Sequence, residues 1–136
     1  MPIPDVDLDL IFCSVSKRYG VEKLLLKSIA TVESSMDQMA YRYEEQFWVN
    51  YGHDFPDLSG RDPKEVSASY GLMQMMFTTA WALGFRGPGE DLYNPVYNIE
   101  LAGKLLQEIK SELVPARHWR CWPQEVMLAR YNGGGW

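Results

Sequence analysis

The segment IATVESSM, residues 29–36, puts a carboxylate where an apolar helical pattern should close. Leu25, Ile29 and Val32 set that pattern, and Glu33 follows with Ser34 and Ser35 directly behind it. The last carbonyls of a helix carry partial negative charge, so an anion there is disfavoured and its pKa tends upward. A carboxyl that keeps its proton near neutral pH can act as a general acid. The other reading of Glu33 is a solvated surface charge. The remaining reactive side chains are less promising. His53 with Asp54, and His118 alone, suggest a metal site or a nucleophilic triad only superficially. Neighbouring His and Asp side chains diverge on most backbones, and the chain has no HExxH, no Cys-His cluster and no GxSxG elbow. These histidines read as surface residues. Cys13 and Cys121 match no zinc or CxxC spacing and read as two free, mostly buried thiols, with a disulfide as the alternative in an oxidising compartment. No metal and no cofactor is expected.

Positioning Glu33 falls to the helix that ends there. Pro4 and Asp5 open a first helix whose apolar positions Leu8, Ile11, Val15 and Tyr19 recur at spacings of three and four, and Gly20 suits its C-terminal cap. The second helix runs from about Glu22 to about Ser34, with Leu25, Leu26, Ile29 and Val32 inward and Lys23 and Lys27 outward. Residues 35–69 mix aromatic residues with turn formers, and one short helix near residues 44–51 followed by loop is expected. SYGLMQMMFTTAWALGF predicts a helix, or a pair of short helices, ending at Gly84, and RGPGEDLYNP a loop. Asn94 then caps the longest helix, with Pro95 at its first position and Ile99, Ala102, Leu106, Ile109 and Leu113 as its buried stripe. A last helix begins at Pro123, carries Val126, Leu128, Ala129 and Tyr131, and ends at the glycines 133–135. No stretch alternates as a strand should, so the expected fold is mainly α.

At 136 residues the chain fits one domain, residues 1–136, with enough length to bury a core without metal or disulfide. Hydrophobic residues at 46% and charged residues at 23% argue for ordinary globular packing rather than disorder. Thirteen basic against 18 acidic residues give a net charge of −5, which argues against a protein that grips nucleic acid by its backbone. The opening MPIPDVDLDL lacks a basic region followed by an apolar stretch, and no later segment reaches the length of a membrane span. Synthesis in the cytoplasm without a signal peptide, and no membrane insertion, are expected.

Three further stretches turn the weak signal at Glu33 into a specific one. IATVESS at 29–35, ASYGLMQMM at 68–76, DLYNPVYNIELAGKLL at 91–106 and LARYNGG at 128–134 occur in an order and approximate spacing that resembles the lytic transglycosylases with the soluble transglycosylase (SLT) catalytic domain. That lysozyme-like group is related in fold to goose-type lysozyme. The resemblance spans about residues 7–134. It implies a single-domain helical fold with a substrate cleft, acting on peptidoglycan glycan strands. The implied reaction breaks the β-1,4 bond between N-acetylmuramic acid and N-acetylglucosamine without water as acceptor, leaving a 1,6-anhydro sugar. It also implies that Glu33 is the sole catalytic acid and base, with Ser34 and Ser35 matching the residues that follow it. Tyr70 to Gln74 would line the sugar cleft, and Tyr131 and Asn132 would sit beside the acid. Members generally continue past the last motif, whereas this sequence stops at Trp136.

Hydrolases of the lysozyme kind usually add a second carboxylate, for which Asp37, Glu44 and Glu45 are the candidates. In a transglycosylase the substrate's N-acetyl group and C6 hydroxyl supply what that carboxylate would. Arg42 to Glu44, RYE, is similar to a pattern of phage-type members, in which the segment after the catalytic Glu is longer. Glu44 then has two readings: an ion pair with Arg42 that supports the cleft wall, or a contact with substrate. Phe47, Trp48, Tyr51 and Phe55 read as packing of this segment onto the core, Tyr93 as a cleft residue, and Met73, Met75 and Met76 as packing. Lys104, Lys110, Arg117 and Arg120 could form a local basic patch toward an anionic wall. The expected protein is a cofactor-free monomer acting at the bacterial cell wall or periplasm, carried by a virion or released by phage lysis. A goose-type muramidase and a non-catalytic wall-binding or tail module are the rival readings.

Overall fold

The structure is a computed structural model and describes residues 7–113 and Tyr131. In chain order it contains α1 (Leu8–Tyr19), α2 (Lys23–Ser34), β1 (Tyr41–Tyr43), α3 (Glu45–Tyr51), α4 (Pro63–Val66), β2 (Ala68–Tyr70), β3 (Met75–Met76), α5 (Phe77–Ala82) and α6 (Pro95–Leu113). Short 3-10 turns at Gly52–Asp54, Pro56–Leu58 and Gly89–Tyr93 connect them. The fold is mainly α, as the sequence predicts. No helix among the described residues is long and apolar enough to cross a membrane.

Asp7 caps α1 by accepting from the Leu10 amide, and Gly20 ends the helix in the left-handed region with φ 64°. Pro4 and Asp5, expected to open this helix, lie outside the described residues. Phe12 and Val15 face inward, while Cys13, one position round the helix from Phe12, sits at the margin and is partly exposed rather than buried. Cys121 lies outside the described residues.

Helix α6 is the scaffold on which α1 rests. The two helices come close at Gly103, where a Cβ would overlap Val15 Cγ1. Beyond this contact, α6 closes the end of α1 with its own side chains. Lys110 Nζ donates to the Gly20 carbonyl at 2.9 Å, Gln107 Nε2 to the Tyr19 carbonyl at 3.3 Å, and Arg18 pairs with Glu100. Carbonyls that a helix end leaves unpaired are satisfied in this way. Lys104 donates to the Leu83 carbonyl, so the two lysines expected in a basic patch also serve as carbonyl caps. Arg117 and Arg120 lie outside the described residues. At the start of α6, Asn94 Oδ1 accepts from the Val96 amide at 2.9 Å, the cap expected with Pro95 behind it.

The inward face of α2 differs from expectation in an instructive way. Leu25, Leu26, Ile29 and Ala30 are buried, but Val32 is 66% exposed. At 3.6 residues per turn the buried arc centres between Leu26 and Ile29, which puts Val32 off its edge. Seven residues past Leu26 and four past Ile29, the centre of that same arc is occupied by Glu33.

The main departure is a three-stranded antiparallel sheet of order β1-β2-β3. Tyr41 pairs with Tyr70 and Arg42 with Ser69, while Tyr70 and Ser69 pair in turn with Met75 and Met76. Residues 68–76 are thus strand, turn and strand, and only Phe77–Ala82 is helical. Two backbone conformations forbid the expected helix: Gly71 at φ 74° and Gln74 at φ 47°. A buried amide holds them. Asn98 of α6, with 0% exposure, donates to the Tyr70 and Leu92 carbonyls and accepts from the Met73 amide, each at 2.8 Å. A Cβ on Gly71 would lie 2.7 Å from Asn98 Nδ2, so both the positive φ and the close approach require glycine. Strands of two and three residues are too short to show alternation in a sequence.

Asn98→Ala is expected to strip partners from three buried backbone groups and to destabilise the protein by about 3–5 kcal/mol. Urea unfolding checks this as a lowered midpoint at unchanged slope.

Candidate active site

Glu33 is the penultimate residue of α2, half-buried on the helix's inward face. Desolvation holds its carboxyl above the ordinary carboxylate range, and the positive charge of Arg42 pulls weakly the other way. Asp37 is occupied in its own turn, accepting from the Met39 amide at 2.9 Å, and Glu45 stands exposed in the first turn of α3.

Ser34 and Ser35 follow with different roles. Ser34 Oγ donates back to the Ala30 carbonyl at 3.0 Å, a local bond that serines make readily on helices. Ser35 and Met36 both adopt positive φ, 53° and 64°, their amides reaching back to Thr31 and Ala30 carbonyls. With Gln74 they are the three non-glycine residues in the left-handed region among those described. Such conformations cost on the order of 1–2 kcal/mol each and gather where a site over-determines them. Two of them immediately follow Glu33, and the third sits in the turn between β2 and β3.

That turn approaches the acid through Tyr131. The Tyr131 hydroxyl donates to the Met73 carbonyl at 2.7 Å, and burial, then the charge of Glu33, drives its pKa far upward. The phenol is therefore a neutral neighbour of Glu33. Its proton goes to the Met73 carbonyl, which leaves the oxygen's lone pairs to accept from a protonated carboxyl. Asn132 lies outside the described residues.

Gln74 Nε2 donates to the Gly71 carbonyl at 3.0 Å and to the Ala40 carbonyl at 3.2 Å. With both donors directed at protein carbonyls, the amide oxygen is left as a free acceptor, and the residue is partly exposed. Met73 and Met75 are buried, in keeping with packing, and Met76 is partly open. Tyr70 is nearly buried: its hydroxyl donates to the Glu65 carbonyl at 2.6 Å, and its ring meets those of Tyr41 and Tyr93 edge-on, each at 5.4 Å. Burial pushes its phenol strongly upward, and that of Tyr93, which stays partly exposed, upward as well. Tyr93 thus stands partly exposed at the end of a row of three tyrosines, its hydroxyl without a hydrogen-bond partner among the described residues.

Glu44 lies just past β1. Its carboxylate takes Arg42 Nε at 2.7 Å, its amide donates to the Ser67 carbonyl at 2.7 Å, and its carbonyl accepts from the Ser67 hydroxyl. Trp48 and Phe55 pack against the core as expected, whereas Tyr51 is 50% exposed and Phe47 contacts Tyr51 and Phe55 within the segment. His53 and Asp54 are exposed, His118 is outside the described residues, and no metal-binding group of three occurs among the described residues. The influence of Arg42 on Glu33 was missed in the sequence, since nothing in a RYE triplet tells which side of a strand faces a helix end.

Comparison with known proteins adds one finding. No curated protein and no solved structure matches the chain. A family model, the transglycosylase SLT domain, matches residues 11–135, and a mainly helical chain with a small sheet agrees with the lysozyme-like fold of such domains. With nearly its whole length covered, the chain belongs to the SLT-domain transglycosylase family.

Proposed function

We propose that this SLT domain is a peptidoglycan lytic transglycosylase in which Glu33 acts alone as acid and then base. The observation that carries the reading is the placement of Glu33: a carboxyl at the centre of the inward arc of α2, desolvated enough to favour its protonated form. The glycosidic oxygen between N-acetylmuramic acid and N-acetylglucosamine takes the Glu33 proton as its bond to C1 breaks. The carbonyl oxygen of the muramyl acetamido group covers the positive C1. The C6 hydroxyl of the same sugar then attacks C1 and gives its proton to the Glu33 carboxylate. The products are a 1,6-anhydro end and a free C4 hydroxyl, with no water consumed and Glu33 again protonated. The carboxylates that follow Glu33 in sequence are engaged elsewhere, Asp37 in its own turn and Glu44 with Arg42, which supports this route over one that needs a nucleophile or a water-activating base.

The other roles follow from the free groups. Gln74 offers its amide oxygen to an acetamido N–H, the partly exposed Tyr93 its hydroxyl, and Tyr131 a neutral oxygen to a protonated Glu33. Tyr70 and Ser34, whose hydroxyls are spent on protein carbonyls, shape the site rather than bind through those groups. Asn132 is assigned beside the acid by motif alone. The substrate places the site of action at the cell wall.

Digestion of purified sacculi, with products read by mass, tests the reading. Wild type should release fragments with ends lighter by one water than reducing sugars, and Glu33→Gln should lose turnover about a thousandfold or more while staying folded. Reducing ends would indicate a hydrolase, and full turnover by the variant a different acid.

The raised pKa of Glu33 also fixes a pH dependence. The folded state binds the proton more tightly than the unfolded chain, so this group's stabilisation is complete below the unfolded pKa and disappears as pH rises through the folded one. Activity should fall over the same rise. Glu33→Gln, which cannot ionise, should melt at a higher temperature than wild type at neutral pH, with the gap closing in acid; calorimetry across pH checks this.

A further inference from the structure

Strand β1 is an edge of the sheet, and the phase of its hydrogen bonds fixes which backbone groups it leaves open. The Glu44 amide donates to the Ser67 carbonyl and the Gly71 amide to the Ala40 carbonyl, each at 2.7 Å, with Arg42 in register against Ser69 between them. Residues 40, 42 and 44 therefore turn their backbone groups toward β2. In an antiparallel pair the residues that alternate with these point theirs the other way. They are Tyr41 and Tyr43, set against Tyr70 and Ala68, and every residue of β1 is exposed. Among the described residues nothing pairs with the outward N–H and C=O of either tyrosine. Two such donor and acceptor pairs, about 6.8 Å apart, match the backbone of an extended peptide, the mode in which a ligand adds a strand to a sheet. A glycan strand matches less well, since it carries one amide per sugar and carries it on a ring.

Two further observations say what would lie there. The edge is continuous with the candidate active site, because the Ala40 carbonyl at the head of β1 also accepts from Gln74 Nε2 at 3.2 Å. It also carries a cation: the Arg42 side chain is 73% exposed and meets Glu44 through Nε, which leaves the outer guanidinium nitrogens without a protein partner among the described residues and open to a carboxylate. We propose that the outer edge of β1 is a subsite for the stem peptide of peptidoglycan, which adds as a short strand to Tyr41 and Tyr43 and sets a carboxylate on Arg42. The stem peptide hangs from the N-acetylmuramic acid whose bond is broken, so seating it on β1 holds that sugar beside Gln74. This rests on the reading of the chain as a peptidoglycan transglycosylase and gives it a preference, for peptide-bearing strands over bare ones.

The test compares kcat/KM on soluble glycan strands that carry stem peptides and on the same strands stripped of peptide by an amidase. Wild type should prefer the peptide-bearing strands. Tyr43→Pro removes an N–H that takes no part in the β1–β2 ladder, a change that edge strands tolerate, and should lose roughly three- to tenfold on peptide-bearing strands while bare strands are cleaved as before. Tyr43→Ala, which keeps the N–H, should retain the preference, and Arg42→Gln should weaken it. A second measurement needs no change in β1: in Glu33→Gln, amide exchange at Tyr41 and Tyr43 should slow on adding peptide-bearing fragments and not on adding bare ones. Equal loss by Tyr43→Pro on both substrates, or exchange slowed by bare fragments as much, would assign the edge to the glycan and overturn the inference. Wild-type release of 1,6-anhydro ends from both substrates at equal rates would overturn this inference alone. Cleavage of neither would overturn the transglycosylase reading and this inference with it.

Discussion

A carboxyl stays half-dry at the end of a helix only if the shell around it cannot open, and in this chain the Asn98 amide closes that shell. From the middle of the core it bonds the carbonyls of Tyr70 and Leu92 and the amide of Met73, and so pins the turn between β2 and β3. The same turn presents the Met73 carbonyl that receives the Tyr131 hydroxyl, and Tyr131 stands next to Glu33. A buried hydrogen-bonded amide on α6 therefore reaches the acid through two fixed steps. An exposed loop in place of this turn would let water in and let the acid ionise.

The energetic conflicts of the structure gather around the same place. Ser35 and Met36 hold left-handed backbone directly after Glu33, and Gln74 does so in the facing turn. Glu33 itself is disfavoured as an anion by its position at a helix end and by desolvation. Strain of a few kcal/mol is tolerable because α1, α2 and α6 bury a continuous core that includes Phe12, Leu26, Ile29, Ile99 and Leu106. Stability is thus supplied by the helices and spent where the chemistry is placed.

The helices were legible in the sequence because apolar periodicity and caps mark them: Gly20 and Asn94 stand where capping rules put them. The sheet was not, since its strands are two or three residues long and owe their form to Asn98, a residue distant in sequence whose role no local pattern reveals. Treating Val32 as buried hid the better clue. Counting from Leu26 and Ile29 at helical spacing leads to Glu33, so its inward orientation was available before any coordinates. Motifs brought out Gln74 and Tyr131, but the direction of the Tyr131 hydroxyl depends on tertiary placement.

The most direct measurement is a carboxyl 13C NMR titration of Glu33 in the wild-type chain, with Glu33→Gln identifying the resonance. A midpoint well above that of the exposed glutamates is the predicted result, because a desolvated acid must hold its proton to lend it. A midpoint at or below the exposed glutamates would contradict the account, since Glu33 would then be an ordinary anion at the end of a helix.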